Sequence, residues 1–169
     1  MGPAGSGKTT QAELLAEHLE VPHLDMGEML REIPEDTYFG KEVKEYVNKG
    51  ELIPDEITTE LLKERLSGFE YANGFVLNGT PRTIKQAEIL PFNPDAVVYL
   101  RVSDDENIKR LMLRQRPDDT PELIKRRLEI YHQQTEPILN FYRERGKLIE
   151  IPGERPVEVI SRDINSKLI

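Results

Sequence analysis

Residues 2–9 of the chain read Gly-Pro-Ala-Gly-Ser-Gly-Lys-Thr, which fits the phosphate-loop pattern G-x-x-x-x-G-K-[ST]. Glycines at these spacings let consecutive backbone N–H groups wrap a phosphate, and Lys8 adds a mobile positive charge for the outer phosphates. A hydroxyl from Thr9 or Thr10 can reach the Mg²⁺ that accompanies a nucleotide. The apolar spacing over 11–19 predicts a helix whose positive end points at the phosphates. ATPases, GTPases and many kinases share such a loop, so the loop alone predicts only phosphate binding.

Downstream of the loop, extended and helical patterns alternate, which is typical of a parallel sheet with helices on its faces. Short apolar runs at 74–78 and 96–100 are of the kind that form buried parallel strands. Open parallel sheets bind ligands at the carboxyl ends of their strands, so a site is expected where these runs end. Another strand is predicted at 147–151, and one long helix from Thr120 to Arg145. We therefore expect a three-layer α/β fold.

Composition limits the classes of protein that the chain can represent. Its 169 residues, 37% of them hydrophobic, suit a single domain over 1–169. No apolar run approaches the roughly 20 residues that a membrane helix needs, so no membrane partner is expected. With 0 Cys the chain has neither disulfides nor thiolate zinc ligands, and it shows no leader pattern, so a cytoplasmic location is expected. A net charge of -8 opposes binding to nucleic acid.

One stretch departs from this acidic balance. Between residues 107 and 127 seven basic side chains stand against three acidic ones, a local excess of four positive charges. The basic residues are Lys109, Arg110, Arg114, Arg116, Lys125, Arg126 and Arg127. Taken alone, such a run is about as often a solvated helix face as a binding site. As a binding site, it would suit a compact polyanion.

Six segments of the chain, in order and at matching spacing, resemble the adenylate kinase family of nucleoside monophosphate kinases. They are GSGK with TQ at 5–11, GEMLR at 27–31, GELIPD at 50–55, GTPRT with QA at 79–87, RPDDTPE at 116–122, and RRL with YHQQT at 126–135. The resemblance implies a phosphate-loop NTPase fold in which the parallel sheet carries the loop. It also implies a helical insert at 25–68 that closes over the monophosphate, and a very short lid at 113–119 that closes over ATP.

The resemblance further implies transfer of the terminal phosphoryl of Mg-ATP to AMP, giving two ADP, by an enzyme expected to be a monomer. The expected catalytic residues are Lys8, Arg82, Arg114, Arg116 and Arg127. The expected ATP-binding residues are Gly5, Ser6, Gly7, Lys8, Thr9, Thr10, Arg110, Arg114 and Arg155. The expected AMP-binding residues are Met26, Arg31, Glu51, Leu52, Ile53, Gly79, Arg82, Gln86, Arg116 and Arg127. Gln86 would hydrogen-bond the adenine edge, and Mg²⁺ would contact Thr9 or Thr10 and Asn78, mostly through water.

The chemistry of phosphoryl transfer favours arginine independently of the family. The reaction passes through a loose, in-line transition state, so catalysis is mainly positioning and charge stabilisation. Guanidinium groups stay charged and match pairs of phosphate oxygens, each charge-assisted bond contributing about 1.5–3 kcal/mol. Two nucleotides together present five phosphates, which would explain why so acidic a chain concentrates cations in one stretch.

The sequence also departs from the family pattern. Only Met1 precedes the loop, where the family has an apolar strand, so we expect about five to eight apolar residues upstream. Asn78 stands where the family usually has an aspartate that orders the water around Mg²⁺, and Met26 replaces a threonine that usually touches the acceptor base. The lid is little more than residues 114–116, and without cysteine it cannot be a zinc-binding lid.

Three functions stay open at this point. The first is an AMP kinase, favoured by Gln86 after Arg82 and Thr83. The second is a kinase for CMP, UMP or another monophosphate, which Met26 leaves possible. The third is a nucleotide-binding protein with little turnover, suggested by Asn78 and by the missing strand.

Overall fold

Helices and short strands alternate along the computed structural model, which describes residues 1–114, 116 and 119–168. The strands are β1 (His23–Asp25), β2 (Val76–Asn78), β3 (Val97–Arg101) and β4 (Leu148–Pro152). The helices are α1 (Lys8–Leu19), α2 (Met26–Arg31), α3 (Tyr38–Lys49), α4 (Asp55–Leu66), α5 (Ile84–Glu88), α6 (Asp104–Arg114), α7 (Pro121–Ile130), α8 (Ile138–Glu144) and α9 (Val157–Leu168). A 3-10 turn spans Phe69–Tyr71, and a π-helical turn spans Tyr131–Thr135. The predicted α/β class is confirmed.

The four strands form two parallel pairs, β1 with β2 and β3 with β4. Asp25 pairs with Asn78 at the carboxyl ends of the first two strands, so these two side chains start from the same edge. Met1 lies beside β3: its carbonyl accepts from the Leu100 N–H at 2.9 Å, and its amino group donates to the Val98 carbonyl. These bonds fix the start of the phosphate loop against β3.

Alternating side chains of β3 face helices on opposite sides, as in a three-layer fold. Val97 packs with Ile138 and Tyr142 of α8, whereas Leu100 packs with Ile160 of α9. A separate cluster of Leu24, Met26, Met29 and Leu62 joins the ends of β1 and α2 to α4. Helices α2 and α4 of the 25–68 segment are therefore anchored to β1 by an apolar core of their own.

The prediction of one continuous helix from Thr120 to Arg145 is wrong, because the structure contains two helices in this range. Helix α7 ends at Ile130, a π-helical turn follows, and α8 begins only at Ile138. Pro137 explains the break, since proline has no N–H for the helical ladder and its ring clashes with the preceding turn. The turn lets Thr135 donate to the Arg82 carbonyl at 2.8 Å, which ties this segment to the end of β2.

In the part of the chain that the structure describes, none of the helices has both the length and the apolar character required to cross a bilayer.

Candidate active site

The phosphate loop owes its shape to glycines in the left-handed region of backbone conformation. Gly5 and Gly7 have φ of +84° and +85°, in the left-handed region that side chains rarely adopt. A Cβ on Gly5 would lie 2.7 Å from the Asn107 carbonyl oxygen, so the loop packs directly onto the backbone of α6. Gly7 then caps α1. The first N–H groups of that helix therefore face the space that the loop encloses, where a phosphate would bind.

Lys8 lies where the charges of the site meet. Its ammonium donates to the Pro3 carbonyl at 3.0 Å, inside the loop. Burial, together with the positive charges of Arg82, Arg114 and Arg127, lowers the pKa of Lys8 to about 7, and the Asp25 carboxylate opposes that shift. These side chains come from five separate stretches of sequence. Their mutual influence shows that the fold brings the predicted cations around one point.

Arg82 and Arg31 complete this cluster of cations. The Arg82 Nε donates to the Gly79 carbonyl at 2.7 Å, which turns the guanidinium back over the end of β2. The surrounding protein lowers the pKa of Arg82, and the positive charges of Arg127 and Arg31 lower it as well, whereas the Asp25 carboxylate opposes the shift. Arg82 is nevertheless exposed to solvent at its outer side. Five cations so close together repel one another. An anion with several charges would relieve that repulsion.

Asp119 holds two of these arginines in place. Its carboxylate accepts a two-pronged hydrogen bond from Arg114, at 2.8 Å and 2.6 Å, and a longer one from Arg127 at 3.4 Å. The Asp119 side chain is 1% exposed. Burial alone would raise its pKa, but the bonds from Arg114 and the Arg116 backbone N–H outweigh burial, so the pKa lies below its usual value. The carboxylate therefore stays charged and orients both guanidinium groups.

A second carboxylate, Asp25, faces the loop from the end of β1. Its Oδ2 accepts from the Thr9 hydroxyl at 3.0 Å and from the Asn78 amide nitrogen at 2.9 Å, and its Oδ1 caps α2. The Asn78 amide oxygen is turned the other way and meets His23 Nε2 at 2.5 Å. Burial raises the pKa of Asp25, but hydrogen bonds from Asn78 and Thr9 lower it more. The magnesium role expected of Asn78 stays a prediction.

Gln86, expected to read the acceptor base, is buried in a hydrogen-bond network. Its Oε1 accepts from the Arg82 N–H at 2.6 Å and the Thr80 hydroxyl at 3.2 Å, and its Nε2 donates to the Thr58 hydroxyl at 3.1 Å. The nitrogen carries two hydrogens, so one N–H is left for a ligand.

The other residues expected to bind AMP surround the same region in different ways. Met26 is 2% exposed and packs in the apolar core of the insert. A Cβ on Gly79 would lie 3.1 Å from the Met26 Cβ, so a glycine is needed there. Ile53 is buried, Leu52 is half-buried, and Glu51 pairs with Arg126 at 4.0 Å.

Two arginines expected to bind ATP, Arg110 and Arg155, have protein partners of their own. Arg110 donates to the Gly153 carbonyl at 3.0 Å and to Glu106 at 2.8 Å. Arg155 pairs with Asp163 at 2.6 Å, just beyond the same turn. Thr10 is exposed on α1. The expected lid at 113–119 is described only at 113, 114, 116 and 119, since Gln115, Pro117 and Asp118 lie outside the described residues.

Comparison with known proteins agrees with this geometry. The profile of the family described as "Adenylate kinase" matches residues 1–147. The chain belongs to the adenylate kinase family. It is 40% identical to "Adenylate kinase 1" of a Nostoc species, over 99% of this chain and 96% of the relative. It is similar to "Adenylate kinase" of Mycolicibacterium paratuberculosis (42%, covering 90% and 89%) and of Corynebacterium urealyticum (39%, covering 95% and 92%).

Two residues of this site, Asp25 and Thr58, were not predicted from the sequence. The position of Asp119 beside Arg114 and Arg116 predicts a helix cap or a group that orients the arginines, and the structure shows that it accepts hydrogen bonds from Arg114. For Asp25 a signal was available, because a polar residue directly after a buried strand lies at the edge where ligands bind. Thr58 gives no signal in sequence, since its partner Gln86 lies 28 positions further along.

Proposed function

We propose that this member of the adenylate kinase family transfers the terminal phosphoryl of Mg-ATP to AMP, giving two ADP. The observation that carries the proposal is the convergence of Lys8 with Arg31, Arg82, Arg114 and Arg127 at the mouth of the phosphate loop. Two facing nucleotides would present enough negative charge to offset those cations. A single phosphate would leave most of them unneutralised.

The chain's own residues have separable tasks in this transfer. The loop N–H groups and Lys8 would hold the outer phosphates of ATP, while Arg31 and Arg82 would hold the phosphate of AMP. Arg114 and Arg127, aligned by Asp119, would stabilise the charge on the group in flight. Such preorganised donors need no acid or base, because positioning and charge stabilisation lower most of the barrier.

The donor atoms beside the loop suit the magnesium ion that this reaction requires. Thr9 offers a hydroxyl oxygen, and the Asp25 carboxylate lies 3.0 Å from it; hard oxygen donors of this kind are what Mg²⁺ prefers. When bound with ATP, the ion would neutralise charge on the phosphates. Thr9 would hold it from the protein side.

A panel of nucleoside monophosphates with Mg-ATP tests the proposal. We expect AMP to be the preferred acceptor, with two ADP formed per transfer. CMP is a second candidate, because the N–H left on Gln86 suits an unprotonated ring nitrogen, which adenine and cytosine share. Preference for UMP, or no transfer to any monophosphate in a single-turnover assay, would overturn the proposal.

The proposal also includes a monomeric state and a cytoplasmic location, as expected from the sequence. Size-exclusion chromatography with light scattering tests the first, and cell fractionation tests the second.

A further inference from the structure

The carboxylate beside the phosphate loop lies at the end of β1, whereas the family pattern implies one at the end of β2. Position 78, at the end of β2, holds an uncharged asparagine. Its partner in the parallel register, at the end of β1, is Asp25. The Asp25 carboxylate lies 3.0 Å from the Thr9 hydroxyl, and Thr9 fills the [ST] position of the loop motif. In phosphate-loop enzymes that hydroxyl and a nearby aspartate together hold Mg²⁺.

The orientation of Asn78 makes it a poor ligand for a cation beside Thr9. Its amide nitrogen faces Asp25 at 2.9 Å and Thr9 at 3.2 Å. Its amide oxygen is directed at His23 instead. Because an N–H group cannot bind a cation, Asn78 presents nothing to the ion in this orientation and serves as a hydrogen-bond donor to Asp25.

We propose that Asp25 is the carboxylate that holds Mg²⁺ and its water shell beside Thr9, so that the charge has moved from the end of β2 to the end of β1. Mg²⁺ sites in such enzymes need only one or two carboxylates, because the substrate phosphates supply further oxygens. The same exchange explains the asparagine. An aspartate at 78 would put a second negative charge about 3 Å from Asp25, and two carboxylates that close repel each other strongly.

This inference rests on the proposed function only for the statement that the protein binds Mg-ATP. Its test is the affinity for a non-hydrolysable ATP analogue, measured by calorimetry with Mg²⁺ and again with EDTA. The dissociation constant with EDTA, divided by the dissociation constant with Mg²⁺, reports how much the ion strengthens binding. No phosphoryl acceptor is needed, so the result does not depend on whether AMP is the substrate.

The first variant is Asp25→Asn, which removes the charge but keeps the shape. Asparagine caps helices as well as aspartate does, so α2 should still begin at Met26. We expect the ratio to fall about tenfold, as is usual when a group that supports a bound metal is lost. Glu28→Gln is the matched control: it makes the same change at an exposed residue three positions later, and the ratio should stay as in the unmodified protein.

The exchange of both residues, Asp25→Asn with Asn78→Asp, is the more demanding test. One carboxylate would again face Thr9, now from β2, and we expect the ratio to recover to within about threefold of the starting value. Circular dichroism and melting temperature show whether each variant folds. If folded Asp25→Asn keeps the full effect of Mg²⁺, the proposal is wrong, whatever the double variant does. A folded double variant that fails to recover would also overturn it.

Discussion

The Thr58 hydroxyl accepts a hydrogen bond from the Gln86 side-chain nitrogen at 3.1 Å and donates its own hydrogen to the Asp55 carbonyl at 3.0 Å. A hydroxyl has a single hydrogen, so its oxygen must act as an acceptor toward Gln86. At the other end of the amide, the Arg82 N–H requires an oxygen. Both ends therefore fix the same orientation of Gln86, with one N–H left to meet a base.

We predict that Thr58→Val weakens selection for AMP over IMP. Adenine offers an unprotonated N1, whereas hypoxanthine carries a hydrogen there, so an N–H donor favours the first. Without the hydroxyl, one end of the amide is released, and losing one hydrogen bond corresponds to about a three- to tenfold rise in the KM for AMP. Steady-state kinetics with both nucleotides should show a lower AMP-to-IMP ratio of kcat/KM.

Two further variants control this prediction. Thr59 is also buried and donates to the same Asp55 carbonyl at 2.7 Å, but it has no hydrogen bond with Gln86, so Thr59→Val should keep the ratio. Thr58→Ser keeps a hydroxyl at this position and should keep the selectivity of the unmodified protein. An unchanged ratio in Thr58→Val would show that Thr58 does not position Gln86.

Arg82→Ala should abolish most phosphoryl transfer while leaving ATP binding nearly intact. The guanidinium is held over the end of β2 by Gly79, on the side of the cleft assigned to the acceptor phosphate. Without that grip the acceptor oxygen is misplaced, and a misplacement of about 1 Å can lower the rate about 10²-fold. Arg65→Ala is the control, since Arg65 lies on the surface and pairs with Glu32 there. Activity close to that of the control would remove Arg82 from the site.

Asp119→Asn should impair ATP use without unfolding the protein. An amide can accept only one of the two bonds that Arg114 now donates, so Arg114 and Arg127 lose their alignment. One charge-assisted bond is worth about 1.5–3 kcal/mol, which corresponds to a loss of about 10- to 100-fold in kcat/KM for Mg-ATP. The measurement is a Mg-ATP titration at saturating AMP. Glu122→Gln, in the first turn of α7, should behave as the unmodified protein.

ATP binding at pH 8 should take up protons. Burial and the neighbouring arginines lower the pKa of Lys8 to about 7, so the ligand-free protein is mostly uncharged at Lys8 at this pH. Phosphate oxygens stabilise the ammonium form and raise its pKa, so binding should draw in up to about one proton. Calorimetry in buffers of different ionisation enthalpy measures this uptake. At pH 6, where Lys8 is already charged, the uptake should be small.

The lowered pKa of Lys8 also makes the stability of the ligand-free protein depend on pH. A lysine with a lowered folded-state pKa carries an unfavourable charge below about pH 7. That cost disappears as the pH rises from about 7 toward the ordinary lysine value, because the unfolded chain then binds more protons than the folded one. The Lys8→Met variant should therefore gain melting temperature more at pH 6 than at pH 9. Equal gains would argue against the lowered pKa.

Local rules predicted much of the fold. The phosphate loop, α1 and the apolar runs that became β2 to β4 follow from glycine spacing and hydrophobic pattern, which act over a few residues. The same rules predict a helix start at Thr120 and a stop at Gly146, and Pro137 between them is a local signal for the break that the structure shows. At the start of α6, by contrast, the Ser103 N–H donates to Glu154, a partner 51 positions along the chain that no local rule predicts.

The sequence by itself determined the motifs, and with them the phosphate chemistry and the arginines that converge on Lys8. Only the tertiary structure decided which oxygen or nitrogen each of those groups presents. The reason is that hydrogen-bond direction depends on partners from distant stretches: Asp25 and Asn78 are 53 positions apart, and Thr58 and Gln86 are 28 apart. Folding places them side by side, and that contact turns Asn78 toward Asp25 and leaves Gln86 with one donor for a base.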